Sequence, residues 1–487
     1  MIESAPVPFL APPTPVTASV IQAEVPSRWI WIPYVWLFVV STRSLSSWLS
    51  LAGQGVDVAD PDLSGNPVDA ALLTLLIVLG LFVLGSRVKR TTKILSRNKW
   101  LVALFIYMAL SILWSNFPDI SFRRCVRSAG ALVMVLVVLT ERDPVGAVRA
   151  LLRRLYLVVI PLSIVAIKYF RTIGVSYNWS GVEEMWTGLA VHKNNLGQVA
   201  MCGGLVATWQ ILRNWTRKKL TLDLLLLVLT LWVLRGSKNS HSSTSILGFL
   251  VGLVVLFGLQ YFQRKGVYAK RVILVGVVVM TLLAPLVYSA FEAFDTTPVD
   301  LVLEATNRDM TFTGRTGLWK DLLNNAEKNP VLGVGFGAFW VGRIGYAMYP
   351  LDNWTRATPE WRPGEGHNGY LDAYVDLGVL GMVLVFVVIS LAFAGALNDL
   401  QNDFEFGSLR LTLLLSIVMN NLTESSLLKG THSLWFVFLL VAVNVPATSR
   451  RLRTERTARL QTAAPVAVSL SSATVAPTGW SSSVGAV

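Results

Sequence analysis

Long apolar runs recur along this chain, separated by short blocks of lysine and arginine, and that alternation leaves few architectures open. A run of roughly 20 mostly apolar residues is long enough to cross a bilayer as a helix. The runs are continuous and rich in leucine and valine rather than alternating, so they read as helices and not as barrel strands. Only 15% of the residues are charged and 53% are hydrophobic, where a soluble domain carries about a quarter charged residues. The expected fold class is all-α: a polytopic membrane protein with about 12 transmembrane helices. The spans are expected near 30–50, 70–86, 99–116, 127–140, 151–169, 187–212, 220–236, 243–263, 272–291, 369–396, 408–422 and 432–447. One large polar loop separates the ninth from the tenth.

Five segments follow: a tail over 1–28, nine spans over 29–291, the loop over 292–368, three spans over 369–448, and a second tail over 449–487. The first tail is rich in proline (Pro6, Pro8, Pro12, Pro13, Pro15, Pro26) and lacks the basic start and apolar core of a cleavable signal peptide. Both tails read as disordered. The two cysteines, Cys125 and Cys202, fall in or beside spans and read as free buried thiols.

The net charge of +13 does not point to nucleic acid, because the basic residues sit in blocks between spans. Arg87 to Lys99, Arg142 to Arg154, Arg213 to Lys219, Arg264 to Arg271 and Arg450 to Arg459 all fall on one side, which the positive-inside pattern makes cytoplasmic. The polar loop is then external. Several cations break the pattern: Arg123, Arg124 and Arg127 before the fourth span, Lys168 and Arg171 after the fifth, Arg235 and Lys238 after the seventh, and Arg315 in the loop. Arg43 falls inside the first span, where a charge costs roughly 2.5–3.5 kcal/mol. Guanidinium forks match phosphate oxygens, so this outer set suits a polyanion at the external face. The alternative is snorkelling to headgroups or pairing with nearby acids.

All four histidines map to the same outer half: His192, His241, His367 and His432. No His-Glu-x-x-His pair or short-spaced His/Cys set exists, so no metal is expected. In the loop, Gly314 and Arg315 precede Leu318, Trp319, Leu322 and Leu323, the apolar face of an amphipathic helix expected to lie in the membrane interface. Gly333 to Gly337 reads as a tight turn. The aromatics Phe339, Trp340, Tyr346, Tyr349, Trp354 and Trp361 suit either a sugar-stacking surface or an interfacial belt. His367 stands where the chain re-enters the membrane, two residues after Glu365. A neutral imidazole there can take a proton from an attacking hydroxyl, with Asn368 or Glu365 orienting it.

His367-Asn368, nine residues, then Gly378-Val379-Leu380-Gly381 resembles the His-Asn-x9-Gly-x-x-Gly signature of the O-antigen ligase and polysaccharide polymerase superfamily. Gly314-Arg315 with Trp319, and Gly333-Val334-Gly335, are similar to that family's pattern in the same loop. The run from Val191 to Gly197, with His192 and Lys193, resembles the His-Lys-Asn segment of its exopolysaccharide-polymerase branch. The resemblance implies a bacterial inner-membrane glycosyltransferase acting at the periplasmic face, without metal or other cofactor. Its donor would be a glycan on undecaprenyl diphosphate. Its acceptor would be another lipid-linked repeat unit in a polymerase or lipid A-core in a ligase, and a polymerase system implies a chain-length regulator as partner. It also implies His367 as base, with Arg315, Arg43, Arg123 and Arg127 stabilising the diphosphate and Arg235 or Lys238 adding to them. One departure stands out: Gly236 to Thr244 carries Lys238 and His241 where many relatives have a Ser-x-Ser-Arg-Thr-like run. A transporter or flippase is the reading from another class, but it calls for charges along a path through the bilayer and often internal repeats. Only Arg43 lies mid-span, and no repeat is evident.

Overall fold

The structure is a computed structural model, and it describes residues 26–51, 66–177, 183–214, 221–237, 241–265, 315–357 and 363–445. The ninth expected span, most of both tails, the first part of the polar loop, Lys238 and Trp361 lie outside the described residues.

The regular elements among the described residues are helices, apart from one short hairpin. The first group comprises α1 (Trp31–Ser41), α2 (Leu45–Leu51), α3 (Pro67–Gly85), α4 (Val88–Arg97), α5 (Lys99–Leu110), α6 (Pro118–Leu139), α7 (Pro144–Tyr169) and α8 (Arg171–Gly174). Strands β1 (Val175–Tyr177) and β2 (Glu184–Trp186) pair antiparallel, with Val175 opposite Trp186. Then come α9 (Lys193–Asn214), α10 (Thr221–Arg235) and α11 (Ser243–Arg264). Beyond the undescribed stretch lie α12 (Arg315–Ala326), α13 (Gly342–Met348), α14 (Asp352–Ala357), α15 (Gly369–Asn402), α16 (Phe404–Asn420) and α17 (Ser433–Ala442). By length and composition α3, α7, α11 and α15 are apolar enough to cross a membrane. With the mean hydropathy of +0.55, this is a multi-pass, all-α membrane protein.

Local chemistry sets several helix starts. Asn66 caps α3 by accepting from the Val68 amide at 2.9 Å, with Pro67 next. Asp143 does the same for α7, accepting from Gly146 N at 3.1 Å ahead of Pro144. A side-chain acceptor satisfies an orphan amide, and proline fits the first turn, where it has no amide to lose. First-turn proline alone marks the start of α6 at Pro118, nine residues before the expected span, so Arg123, Arg124 and Arg127 lie within the helix and not in a loop before it.

Two spans differ from expectation in ways that shape the site. The first breaks at Thr42–Ser44, so Arg43 stands between α1 and α2 instead of inside a helix. Asp69 of α3 receives the freed Ser46 amide at 2.8 Å, and Arg43 donates to the Ile173 carbonyl at 2.8 Å. Helix α15 is broken at Gly378, with φ 63° and ψ −167°. The groups this frees do not go unpaired. Val334 N donates to the Val375 carbonyl at 3.0 Å, Gly335 N to Asp376 at 2.9 Å, and the Tyr107 hydroxyl to Leu377 at 2.9 Å. Val379 N in turn donates to Pro330 at 2.8 Å. Irregular backbone at membrane depth persists where protein supplies such partners. The glycine-rich turn is therefore the partner of the broken helix, and the second part of the signature, Gly378-x-x-Gly381, marks the break.

The loop has its own small core. Leu318 and Leu322 of α12 are buried against α14 and the start of α15, so this helix packs on protein rather than on the membrane interface. Phe339, Trp340, Tyr349 and Trp354 are buried too, with Phe339 and Tyr349 stacked at 4.8 Å. Most of these rings fill the core of the loop, and Trp340 also lines the cavity described below.

Candidate functional site

His367 is held in a left-handed backbone conformation, φ 48°, which costs a non-glycine residue roughly 1–2 kcal/mol. Contacts on both sides impose it. Gly366 N donates to Asp372 Oδ1 at 3.0 Å, and Asn368 N donates to Ser425 Oγ at 3.0 Å. Asn368 Oδ1 accepts from the Tyr370 and Leu371 amides, both at 3.1 Å, as the N-cap of α15. The Asn of the His-Asn pair thus starts the helix that positions the histidine. Strain that is over-determined by its surroundings is characteristic of functional positions.

His367 Nδ1 lies 3.4 Å from Glu365 Oε1 and 3.6 Å from Glu424 Oε2. Glu424 is buried, at 4% exposure. Its Oε1 accepts from Arg315 Nη2 at 3.1 Å and from Asn194 Nδ2 at 2.8 Å, and Arg315 Nη1 donates to the Thr423 carbonyl. On the other side, Lys429 Nζ reaches Glu365 Oε2 at 2.7 Å and Asp372 Oδ2 at 3.4 Å. Burial alone would raise the Glu365 pKa, but Lys429 and His367 outweigh it and hold the carboxyl at about 2. Burial would likewise lower the Lys429 ammonium, and Glu365 and Asp372 raise it instead. Both groups are therefore charged at neutral pH.

Glu365, His367 and Glu424 have donor atoms within 4.8 Å of one another, a set of a size that suits a metal ion. Each carboxylate already has a cation: Lys429 for Glu365 and Arg315 for Glu424. The donor set therefore offers little net negative charge to a divalent ion.

Beside this cluster lies a cavity of about 480 Å³. Asp372, Lys429 and Gly364 line it together with Arg123, Arg124 and Arg127 of α6. Arg124 is structural: it donates to the Gly337 and Trp340 carbonyls at 2.7 and 2.8 Å, tying α6 to the loop. Arg123 is exposed, with Nε donating to the Asp119 carbonyl at 3.3 Å. Arg127 stands in the field of both, with Asp69 as the acidic counterweight. Arg43 lies between Thr42 and Ser44, which line the same cavity. His192, the residue before α9, feels the charges of Glu365, His367, Arg43 and Glu424, and Lys193 opens the helix. Arg235 is exposed at the end of α10 and is not part of the lining.

Sequence reasoning missed Glu424, Lys429 and Asp372. The signal was a polar run, Asn420-Asn421-Leu422-Thr423-Glu424-Ser425-Ser426, between two apolar segments. Asn421 organises it, its Oδ1 accepting from the Ser426 and Leu427 amides at 2.9 and 3.0 Å. Gly369 N donates to the Asn421 and Glu424 carbonyls, at 2.9 and 3.1 Å, so this run also fixes the His-Asn turn.

His432 sits outside α17 as its N-cap, with Nδ1 accepting from the Leu434 amide at 3.2 Å. Burial lowers its pKa to about 4; Glu365 and Glu424 pull it up and Lys429 pulls it down. The folded state thus favours the neutral ring, whereas the unfolded chain takes up a proton near the ordinary 6.5. Stability contributed by this group is present above pH 6.5 and lost as pH falls towards 4. His432→Asn keeps a capping oxygen without titrating. Melting scans over that pH window are expected to show a shallower decline in the variant than in the wild type.

Two comparisons bear on identity. The family model described as O-antigen ligase matches residues 226–386, from α10 through the site turn and the break in α15. The exopolysaccharide production protein ExoQ of Rhizobium meliloti (strain 1021) is 24% identical over 354 residues, covering 71% of this chain and 72% of the relative. The site motifs and both comparisons agree: the chain is similar over residues 226–386 to the O-antigen ligase family, and over most of its length to an exopolysaccharide production protein.

Proposed function

We propose that the protein is a bacterial inner-membrane glycosyltransferase that polymerises exopolysaccharide repeat units carried on undecaprenyl diphosphate. In this reading the chain crosses the membrane twelve times, with both tails cytoplasmic and the site periplasmic. One observation carries the proposal: a histidine flanked by two carboxylates stands beside a cavity walled by arginines and a lysine.

The chemistry follows from that placement. Two carboxylates near Nδ1 favour the tautomer with the proton on that nitrogen, which leaves the Nε2 lone pair to accept a proton from the acceptor hydroxyl. Attack by that hydroxyl on the anomeric carbon breaks the bond to the diphosphate oxygen and inverts the centre. The leaving group departs as an anion, and Arg127 and Arg123 of the lining, with Arg43 next to lining residues Thr42 and Ser44, would stabilise the growing charge. Arg315 holds Glu424, and Glu424 and Glu365 hold the imidazole. Arg235, exposed at the end of α10, would meet the lipid-linked substrate only outside the cavity. No metal has a part in this scheme, because guanidinium groups supply the charge. A chain-length regulator is the proposed protein partner.

The description of the matched family favours a second reading, transfer of the glycan to lipid A-core. Purified protein in liposomes with its lipid-linked repeat unit as sole substrate separates the two. A ladder of multiples is expected. Transfer only when lipid A-core is added would replace polymerase by ligase, and no turnover in either case would return the transport reading.

A further inference from the structure

A second cavity, of about 850 Å³, lies between the segment before α1, the α3–α4 turn and the α6–α7 turn. It is at the opposite end of the bundle from the candidate site. Helices α3 and α6 begin at the first cavity, with Asp69 and Arg123, and end at this one, with Gly85 and Glu141. Their 19 and 22 residues span roughly 30 Å at 1.5 Å per residue, the thickness of a hydrocarbon core.

The floor of this cavity is built. Glu141, 6% exposed, pairs with Arg87 at 2.7 Å. It also accepts from Ser27 N and Oγ at 3.1 and 2.6 Å. Arg87 donates further to Val137 O at 3.2 Å and Thr140 Oγ1 at 3.3 Å, so its charge and donors are taken up. The rim is different. Arg90 gives one hydrogen bond to Thr140 O at 3.1 Å. The Lys89 and Arg142 side chains are exposed and have no hydrogen-bond or ion-pair partner among the described residues. Asp143, the remaining acid of the lining, accepts from Gly146 N as a helix cap. The first turn of α4 opens on the same space without a side-chain cap. Trp29 lines the wall with the Arg28 guanidinium 5.0 Å from its ring centroid, the pairing of a residue at headgroup depth.

We propose that this cavity binds a phosphate anion, presented as the headgroup of an anionic lipid in the cytoplasmic leaflet. The assignment of leaflet rests on the orientation given above. A neutralised floor excludes a cation, the excess positive charge at the rim attracts an anion, and a basic pocket between helices at the cytoplasmic surface suits an anionic headgroup. The volume admits a headgroup with its glycerol.

The test uses full-length protein in vesicles of zwitterionic lipid, alone, with phosphatidylglycerol, or with inorganic phosphate. Thermal unfolding and native mass spectrometry of retained lipid are the readouts. Phosphatidylglycerol is expected to stabilise the wild type and to be retained. Lys89→Ala with Arg142→Ala is expected to weaken retention roughly tenfold or more. Lys93→Ala with Arg97→Ala removes the same charge from α4 outside the lining and is expected to leave retention unchanged. Stabilisation by inorganic phosphate alone, lost in the first variant, would keep the anion site and make soluble phosphate its source. Equal retention by all three proteins, or equal loss in both variants, overturns the proposal. None of these readouts involves turnover, so the transferase reading stands or falls separately.

Discussion

His367→Ala is expected to lower turnover about 10²–10⁴-fold, the usual contribution of a positioned general base, while leaving binding of the lipid-linked donor intact. The separation follows from the geometry. The arginines proposed to hold the diphosphate lie on α6 and in the α1–α2 break, whereas the imidazole hangs from a turn fixed by Asn368, Asp372 and Ser425. A companion variant guards against a folding artefact. His367→Gly also removes the ring but relaxes the left-handed φ of 48°, recovering roughly 1 kcal/mol. An inactive His367→Gly protein that melts no lower than wild type, in a fluorescence melt with a donor-binding assay alongside, assigns the loss to chemistry. Either variant turning over at the wild-type rate would remove His367 from the mechanism.

Gly378→Ala is expected to destabilise the fold by about 3–5 kcal/mol, combining backbone strain with lost hydrogen bonds. The backbone there has φ 63° and ψ −167°, a region open essentially to glycine alone. An added Cβ would lie 2.3 Å from the Val331 carbonyl oxygen and 2.4 Å from its carbon, which are backbone atoms with no rotamer to change. Relief requires α15 to part from 330–335, exposing Val379 N and the Val375 and Asp376 carbonyls in a low-dielectric setting where unpaired groups are costly. Gly258→Ala on α11 is the control: nothing lies within 4 Å of its added Cβ, and helix propensity predicts a gain of up to about 1 kcal/mol. Thermal melts in detergent that place the two alanine variants together would show that the break in α15 is not held as described.

Part of the candidate site was legible in the chain itself. His367, Asn368 and Arg315 stood out because polar residues at the ends of apolar runs are few, and because cations on the outer side oppose the orientation rule. The structure places Arg315 on Glu424 rather than beside Arg123 and Arg127, so the arginines form two groups with different neighbours. Glu424 escaped notice because a single acid in a short loop has no periodicity. Its meaning depends on Asn194 and Arg315, 230 and 109 residues away along the chain. The aromatics of the loop could be read only as a surface, since composition does not say which rings face one another.

Hydrophobic run length, helix-start chemistry and the side taken by basic blocks act over a few residues at a time, and they determined the helical class and the expected orientation. The break in α15, the partner it finds in the glycine turn, the pairing of Glu365 with Lys429 and the two cavities at opposite ends of α3 and α6 were decided only by tertiary structure. Each depends on groups distant in sequence satisfying one another's charges and hydrogen bonds away from bulk water, where an unpaired group is costly enough to select one arrangement of the chain.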